Sequence, residues 1–353
     1  MKKVKIGVIG CGQMAQLAHI PSIKANPDAE LVAVCDFRKK VTAALCRHWE
    51  IPFATDSVDE LLKQDIDAVY VLTTLPAHLA NIRAALAAGK QVFTEKPVAM
   101  SASGVRDLAK LPGRGVTVGY MKQHEPNIRQ LREIQKKSDW GKLLFVRNHS
   151  FVGGHWNAAI DGLVKVYSSD EQPVFDASGL DPAPAWLKGA RDAKFYSFDN
   201  PYYGLLDTGC HSVNLLRHLT GIVPRVLGVS KGAGARIVHF DFDGVPGEME
   251  FCVNFQMHRW DEVTELYFER ASIRILTPPP LDRQSSAAVE IYTENGDLHQ
   301  NLVLENNRQW AFQLETDSFI RKVQSGCTAS DLLEAADDVE VIEKIYQIET
   351  GVK

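Results

Sequence analysis

Over the first third of the chain, short apolar runs alternate with stretches of helical spacing. Lys5–Ile9 is a β-branched run that ends in a glycine turn, and Gln13–Ala25 has helical spacing that stops before Pro27. Strand-like runs at Leu31–Cys35, Ala68–Leu72, Gln91–Phe93 and Val116–Val118 are interleaved with helical stretches at Lys39–His48, Leu79–Ala88 and Ser101–Ala109. Repeated β-α units of this length predict a parallel sheet with helices on both faces. Right-handed crossovers place all strand C-termini on one edge, where such sheets bind ligands.

After about residue 122 the pattern changes. Asn127–Lys137 reads as a helix. It is followed by runs suited to a largely antiparallel sheet: Leu143–Asn148, Val226–Ser230, Ile237–Asp241, Glu248–Gln256, Glu265–Glu269, Ser272–Leu276, Val289–Tyr292 and Leu302–Leu304. Helices at Gln309–Gln324 and Ser330–Ile348 close the chain. With 353 residues, two domains are expected, because single cores stop growing at roughly 250–300 residues. The predicted fold is α/β: an N-terminal Rossmann domain (1–122) with a parallel sheet, then an α+β domain (123–353) with an open, largely antiparallel sheet. The long irregular segment Gly153–Tyr203 carries four prolines and six Trp or Tyr residues, among them Trp156 and Tyr203. It serves either as a wall of the substrate site or as an arm over a subunit contact.

Charge and composition narrow the function. The net charge is -5 and no basic stripe is present, which argues against a nucleic-acid partner. No apolar run approaches the ~18 residues of a membrane span. Met1-Lys2-Lys3-Val4 resembles the head of a signal peptide, but Gly7, Gly10 and Gly12 interrupt the stretch behind it, so a cytoplasmic protein is expected. Six scattered cysteines without a C-x-x-C pair point to small buried residues rather than a disulfide framework or a metal site.

Three motifs carry candidate chemistry. Gly10-Cys11-Gly12-Gln13-Met14-Ala15 follows a predicted strand and opens a predicted helix. Gly10 permits the tight turn, Gly12 lets a pyrophosphate approach the backbone, and Ala15 lets helix and strand pack closely. The phosphates would meet the free N–H groups of the helix start. Asp36 ends the second strand and can accept both adenosine ribose hydroxyls, which favours NAD; Arg38 and Lys39 partly offset its repulsion of a 2′-phosphate, so NADP stays possible. Second, Lys96 in Thr94-Glu95-Lys96-Pro97 stands at the binding edge, where an ammonium can stabilise alkoxide character; alone it also reads as a surface lysine. Third, Asp207, His211, Asn214 and His218 fall within roughly a 60° arc of a helix at ~100° per residue. Such a stripe either faces solvent or holds a histidine as proton acceptor beside a carboxylate.

With these motifs in this order, the chain resembles the Gfo/Idh/MocA family (glucose–fructose oxidoreductase, inositol dehydrogenase and MocA) over almost its whole length. The resemblance is most specific in Gly7–Ala15, Leu79–Pro97 and Leu206–Leu219. It implies NAD(P)-dependent oxidation or reduction of a sugar, sugar derivative or cyclitol. It further implies His211 as general acid/base, Asp207 as its orienting or substrate-binding partner, and Lys96 as a bridge between substrate oxygen and cofactor. Cofactor contacts would come from Gly10, Gly12, Gln13, Met14, Asp36, Arg38, Thr73, Thr74, Pro76, His78, Glu95 and Lys96. Substrate contacts would come from Lys96, Lys122, Trp156, Tyr203, Asp207, His211 and Asn214. No metal is implied, the bond before Pro97 is expected to be cis, and the C-terminal sheet would make a homodimer or homotetramer. Asn214 replaces an aspartate common in the family, Met121 an asparagine, and Tyr202-Tyr203-Gly204 a glycine run. Two other functions remain open at this point: a redox-neutral, glycoside-cleaving enzyme that retains its NAD, and a non-catalytic dinucleotide-sensing subunit.

Overall fold

The structure is a computed structural model that describes residues 2–153, 165–171, 183–189, 192, 194–305 and 308–352; Trp156 lies outside them. Two compact units emerge. One combines Met1–Gly119, Gly162–Gly204 and Glu315–Val339; the other combines Tyr120–Asp161, Leu205–Leu314 and Glu340–Lys353. The sequence leads one to expect contiguous domains 1–122 and 123–353; the two units group the chain differently. The chain does divide near residue 120, but two later stretches return to the first unit.

The strands of the first unit are β1 (Val4–Ile9), β2 (Ala29–Cys35), β3 (Phe53–Thr55), β4 (Ala68–Val71), β5 (Gln91–Glu95) and β6 (Val116–Gly119). They form one sheet in the order β3-β2-β1-β4-β5-β6, parallel throughout. β4 is buried along its whole length, as an apolar run covered on both faces should be. The helices between the strands are α1 (Ile20–Ala25), α2 (Lys39–Trp49), α3 (Val58–Leu62), α4 (Leu75–Ala87) and α5 (Ala102–Ala109). A π turn, Ala15–His19, runs directly into α1, so residues 13–25 are helical without a break.

In the second unit, α6 (Pro126–Lys137) precedes β7 (Leu143–Gly153). The short α7 (Pro201–Gly204) closes the inserted part of the first unit. A second π turn, Leu205–Gly209, then leads into α8 (Cys210–Thr220). Strands β8 (Arg225–Lys231), β9 (Arg236–Phe242), β10 (Val245–Asn254), β11 (Asp261–Phe268), β12 (Ala271–Leu276), β13 (Ala288–Asn295) and β14 (Leu298–Leu304) complete an eight-stranded sheet. Its order is β14-β13-β12-β11-β7-β10-β9-β8, and only β7 and β10 pair in parallel. β9 and β10 join through Asp243 and Gly244, both at positive φ, as a tight hairpin requires.

The last two helices are α9 (Ala311–Gln324) and α10 (Leu332–Thr350). Phe319 and Ile320 of α9 join the core of the parallel sheet, with Phe319 set edge-on to Tyr70 at 5.2 Å between ring centroids. None of the six cysteines is joined in a disulfide. Cys11, Cys35 and Cys210 are buried as expected; Cys46 and Cys252 are half-buried and Cys327 is exposed. Among the described residues, no helix is long and apolar enough to cross a membrane.

Candidate functional site

In the first unit, the turn after β1 is built around two glycines with different duties. Gly10 has φ +93, and a Cβ there would lie 2.6–2.7 Å from backbone atoms of Leu72 and Thr73. The close packing of β1 against the end of β4 therefore needs this glycine. Among the described residues, a Cβ on Gly12 would meet no atom within 4 Å. No described neighbour demands a glycine at that position, at the mouth of a helix that starts at Gln13. An unfilled approach to the first helical N–H groups suits a pyrophosphate. Gln13 and Met14 form the first residues of that helix.

Asp36 is tied to the same turn. Its Oδ2 accepts the Cys11 N–H at 2.8 Å, and Arg38 grips both carboxylate oxygens at 2.8 Å while its backbone N–H donates to Oδ1 at 2.9 Å. Burial pushes the Asp36 carboxyl up, but the Arg38 and Cys11 hydrogen bonds outweigh it and hold the group below its ordinary value. A carboxylate offers about four acceptor positions. All are in use here, so Asp36 does not present a vacant pair for both ribose hydroxyls. The bonds from the half-exposed Arg38 side chain are the exchangeable ones.

Thr74 stands at the N-cap position of α4, with Pro76 in the first turn, and Thr73 Oγ1 receives the Asn81 amide at 3.4 Å. His78 is buried with Nδ1 3.1 Å from the Pro97 carbonyl; burial lowers its pKa, which leaves the ring neutral at pH 7. The Lys96–Pro97 bond is cis. Glu95 ends β5, bonded to His19 Nε2 at 2.7 Å and to the Lys96 N–H at 3.1 Å. Burial alone would raise the Glu95 pKa, but His19 and Lys96 together bring it below the ordinary carboxylate range. The half-buried Lys96 therefore follows a fixed, ionised neighbour.

Sequence reasoning missed His19, Gln16 and Glu315. The histidine sits within an apolar helical stretch and reads as core. Gln16 spans from the Cys11 carbonyl (2.8 Å) to the backbone of Tyr167, donating to its carbonyl at 2.9 Å and accepting its N–H at 2.8 Å. Glu315 in α9 is buried, and among the described residues neither carboxylate oxygen has a hydrogen-bond partner. Burial, with Glu95 and Asp331 nearby, pushes its carboxyl well above the ordinary carboxylate range.

In the second unit, the α-helical geometry expected for Asp207 and His211 is corrected. Asp207 lies in the π turn and His211 in the first turn of α8, so the two do not share the simple i, i+4 register of one α-helix. Such turns arise from one extra residue in a helix and recur at functional positions. The Cys210 thiol caps the Asp207 carbonyl at 3.4 Å, and the Tyr120 ring meets His211 edge-on at 6.4 Å. The solvent-facing reading of the stripe fails at Asn214, which is 1% exposed and accepts the Gln123 amide at 2.7 Å. His211, Asp207 and His218 are half-buried.

Lys122, expected to reach substrate, is instead buried in an ion pair with Glu262. Glu125 lies beside this pair, where it accepts the Ala287 N–H at 2.9 Å, and burial pushes its carboxyl up to about 7. Below α8 the sheet face is polar: Asn148 donates to Thr264 at 2.9 Å, and Ser150 and Glu262 are register partners on β7 and β11. Tyr203 belongs to the first unit, half-buried, with its ring edge-on to Phe198 at 5.8 Å. Its neighbour Tyr202 is fully buried and donates to the Met100 carbonyl at 2.8 Å.

Residues 4–120 match the family model described as an oxidoreductase family with an NAD-binding Rossmann fold, GFO_IDH_MocA. The inositol 2-dehydrogenase/D-chiro-inositol 3-dehydrogenase of Lacticaseibacillus casei is 36% identical over 152 residues, 41% of this chain and 43% of that protein. The inositol 2-dehydrogenase of Pseudomonas savastanoi pv. phaseolicola is 32% identical over 149 residues, 40% and 44% of the two chains. The matches thus span less than half the length of these curated relatives. Among solved structures, a 3-ketoreductase from Actinomadura kijaniata in complex with NADP aligns over 98% of both chains, with TM-score 0.70 and 17% identity. The UDP-N-acetylglucosamine 3-dehydrogenase of Acidithiobacillus ferrooxidans aligns over 100% of this chain and 98% of its own, with TM-score 0.70 and 16% identity. At these identities the structural likeness establishes the fold.

Proposed function

Because residues 4–120 belong to the Gfo/Idh/MocA oxidoreductase family, we propose that the chain is an NAD(P)-dependent dehydrogenase or reductase. Its substrate would be a secondary alcohol or ketone of a sugar, sugar derivative or cyclitol. The observation that carries this reading is the turn itself: a closely packed Gly10, an open Gly12 and a helix start tied to Asp36. The inositol dehydrogenase relatives and the sugar-nucleotide enzymes of the same fold support a polyhydroxylated substrate.

A bound nicotinamide supplies hydride acceptance or donation. The chain supplies the rest. His211 takes the hydroxyl proton during oxidation and returns it during reduction, with Asp207 orienting it and the substrate. Lys96 donates to the reacting oxygen and lowers the cost of alkoxide character. Glu95, fixed by His19, sets the backbone from which Lys96 projects. Gly10, Gly12, Gln13 and Met14 hold the pyrophosphate, and the stretch Thr73–His78 runs beside the dinucleotide. Arg38 can release Asp36 to a ribose hydroxyl or turn to a 2′-phosphate, so both NAD and NADP are accommodated. The enzyme works in the cytoplasm as a homodimer or homotetramer joined through the eight-stranded sheet.

A panel of sugars, sugar nucleotides and inositols assayed with NAD and NADP tests the reading. On the substrate so found, His211→Ala and Lys96→Ala should each lower kcat by about 10²–10⁴-fold without loss of fold. Variants as fast as the parent would remove these residues from the chemistry.

A further inference from the structure

The described residues 165–171 lie against the dinucleotide-binding half of the first unit, far from it in sequence. Tyr167 is anchored on two sides. Its backbone N–H and carbonyl pair with the two ends of the Gln16 side-chain amide, as one strand residue pairs with another. Gln16 is 4% exposed, and its amide nitrogen also donates to the Cys11 carbonyl, between the two turn glycines. The Tyr167 ring packs on His48 of α2 at 6.0 Å and against the core of the parallel sheet, with the Lys165 ammonium 5.0 Å from its centroid. Residues 165–171 are therefore pinned to the π turn and α2, which flank the turn and Asp36.

Four residues beyond the anchor stands Glu171, half-buried, its Oε2 accepting the Ser169 hydroxyl at 2.7 Å. Four extended residues reach at most ~14 Å, which confines this carboxylate to the neighbourhood of its anchor. The groups that feel its charge are Arg38 and Lys39, at the start of α2. Arg38 grips Asp36, the residue at which a ribose 2′ position is read in this fold, and Lys39 beside it pairs with Asp56 at 2.9 Å.

We propose that residues 165–171, clasped by Gln16, complete the adenosine-ribose subsite from outside the Rossmann fold, and that Glu171 is a specificity-determining residue that disfavours a 2′-phosphate. The proposal rests on the cofactor reading above and adds its preference. Asp36 and Glu171 together oppose Arg38 and Lys39, so that a ribose bearing hydroxyls is accepted while one bearing a phosphate meets a second carboxylate. A carboxylate within one Debye length of a phosphate at a protein surface changes its affinity by about three- to tenfold.

The test is equilibrium binding of NADH and NADPH, followed by their fluorescence, to the full chain and to Glu171→Gln, Glu171→Lys and Gln16→Ala. Glu171→Gln should tighten NADPH about three- to tenfold with NADH unchanged within twofold, and Glu171→Lys should go further. The shift should shrink as salt rises from low to about 0.5 M, which a merely structural effect would not do. Gln16→Ala, with an unchanged near-ultraviolet spectrum, should reproduce the Glu171→Gln shift by releasing its anchor. An NADPH:NADH ratio in Glu171→Gln within twofold of the parent overturns the proposal; a shift there with none in Gln16→Ala overturns the clasp. A parent that binds neither dinucleotide refutes the cofactor reading itself, a result distinct from both.

Discussion

Alanine at Gly10 and alanine at Gly12 are the same chemical change two residues apart, and they should do opposite things. At Gly10 the positive φ costs an L-residue about 1–2 kcal/mol. The added Cβ also overlaps backbone atoms of Leu72 and Thr73 at 2.6–2.7 Å, which cannot swing aside as a side chain would. Overpacking of this kind costs about 1–3 kcal/mol, so Gly10→Ala should lose ~2–5 kcal/mol in all. For a unit of this size that is a drop of roughly 5–15 °C in Tm. At Gly12 the Cβ enters open space, and stability should stay within ~0.5 kcal/mol of the parent. The methyl group instead occupies the path of the pyrophosphate. Loss of one charge-assisted hydrogen bond, worth about 1.5–3 kcal/mol, weakens dinucleotide binding about 10–100-fold. Thermal melts paired with NADH fluorescence titrations separate the two effects. If Gly12→Ala bound NADH as tightly as the parent, the open space would not belong to the phosphates. If Gly10→Ala melted with the parent, the approach of β1 to β4 would not be the constraint described.

Two further expectations concern the second unit. Glu125 holds its proton up to about pH 7 in the folded chain, whereas the unfolded group ionises near 4.5. Between those values the folded state binds more protons, so stability falls as pH rises through the window, by up to ~3 kcal/mol at 1.36 kcal/mol per unit. Melts of the parent and Glu125→Gln between pH 4.5 and 8 should show this slope in the parent only; parallel curves would refute the assignment. Lys122→Met leaves Glu262 buried and should destabilise by about 3–5 kcal/mol, while Lys122→Met/Glu262→Leu should recover most of the loss. A double variant as unstable as the single one in urea unfolding would show that the pair is not the unit of stability.

The parallel sheet was readable because its strands are short apolar runs bounded by turn residues, a pattern that survives burial on both faces. β3 and α3 were not, since three and five residues are too few to establish a period. β7 was read only as far as Asn148. Its buried face carries Asn148 and Ser150, while Phe145 and Phe151 lie on the opposite face, so hydrophobicity no longer marks the inside. The individual residues of the candidate site were visible as motifs, but their geometry was not. A period of 100° per residue cannot reveal a π turn, and so Asp207 was placed one register away from where it lies. Nor does a sequence show which carboxylate is already engaged: Asp36 looks available until Arg38 and Cys11 are seen on it. The pairing of Lys122 was hidden for a similar reason, because its partner Glu262 lies 140 residues away.

The core of the parallel sheet has an unusual author of its last piece. Phe319 and Ile320 pack among side chains from Val4 to Phe93, and Asn26 is bonded to Asp317 at 2.6 Å. During translation, the strands that bind the dinucleotide emerge first yet must wait for the closing helix until some two hundred further residues have left the ribosome. At about 5–20 residues per second that is a delay of roughly 10–40 seconds, during which apolar surface stays uncovered and open to chaperones. A gene fragment cut at residue 120 would inherit that uncovered surface permanently.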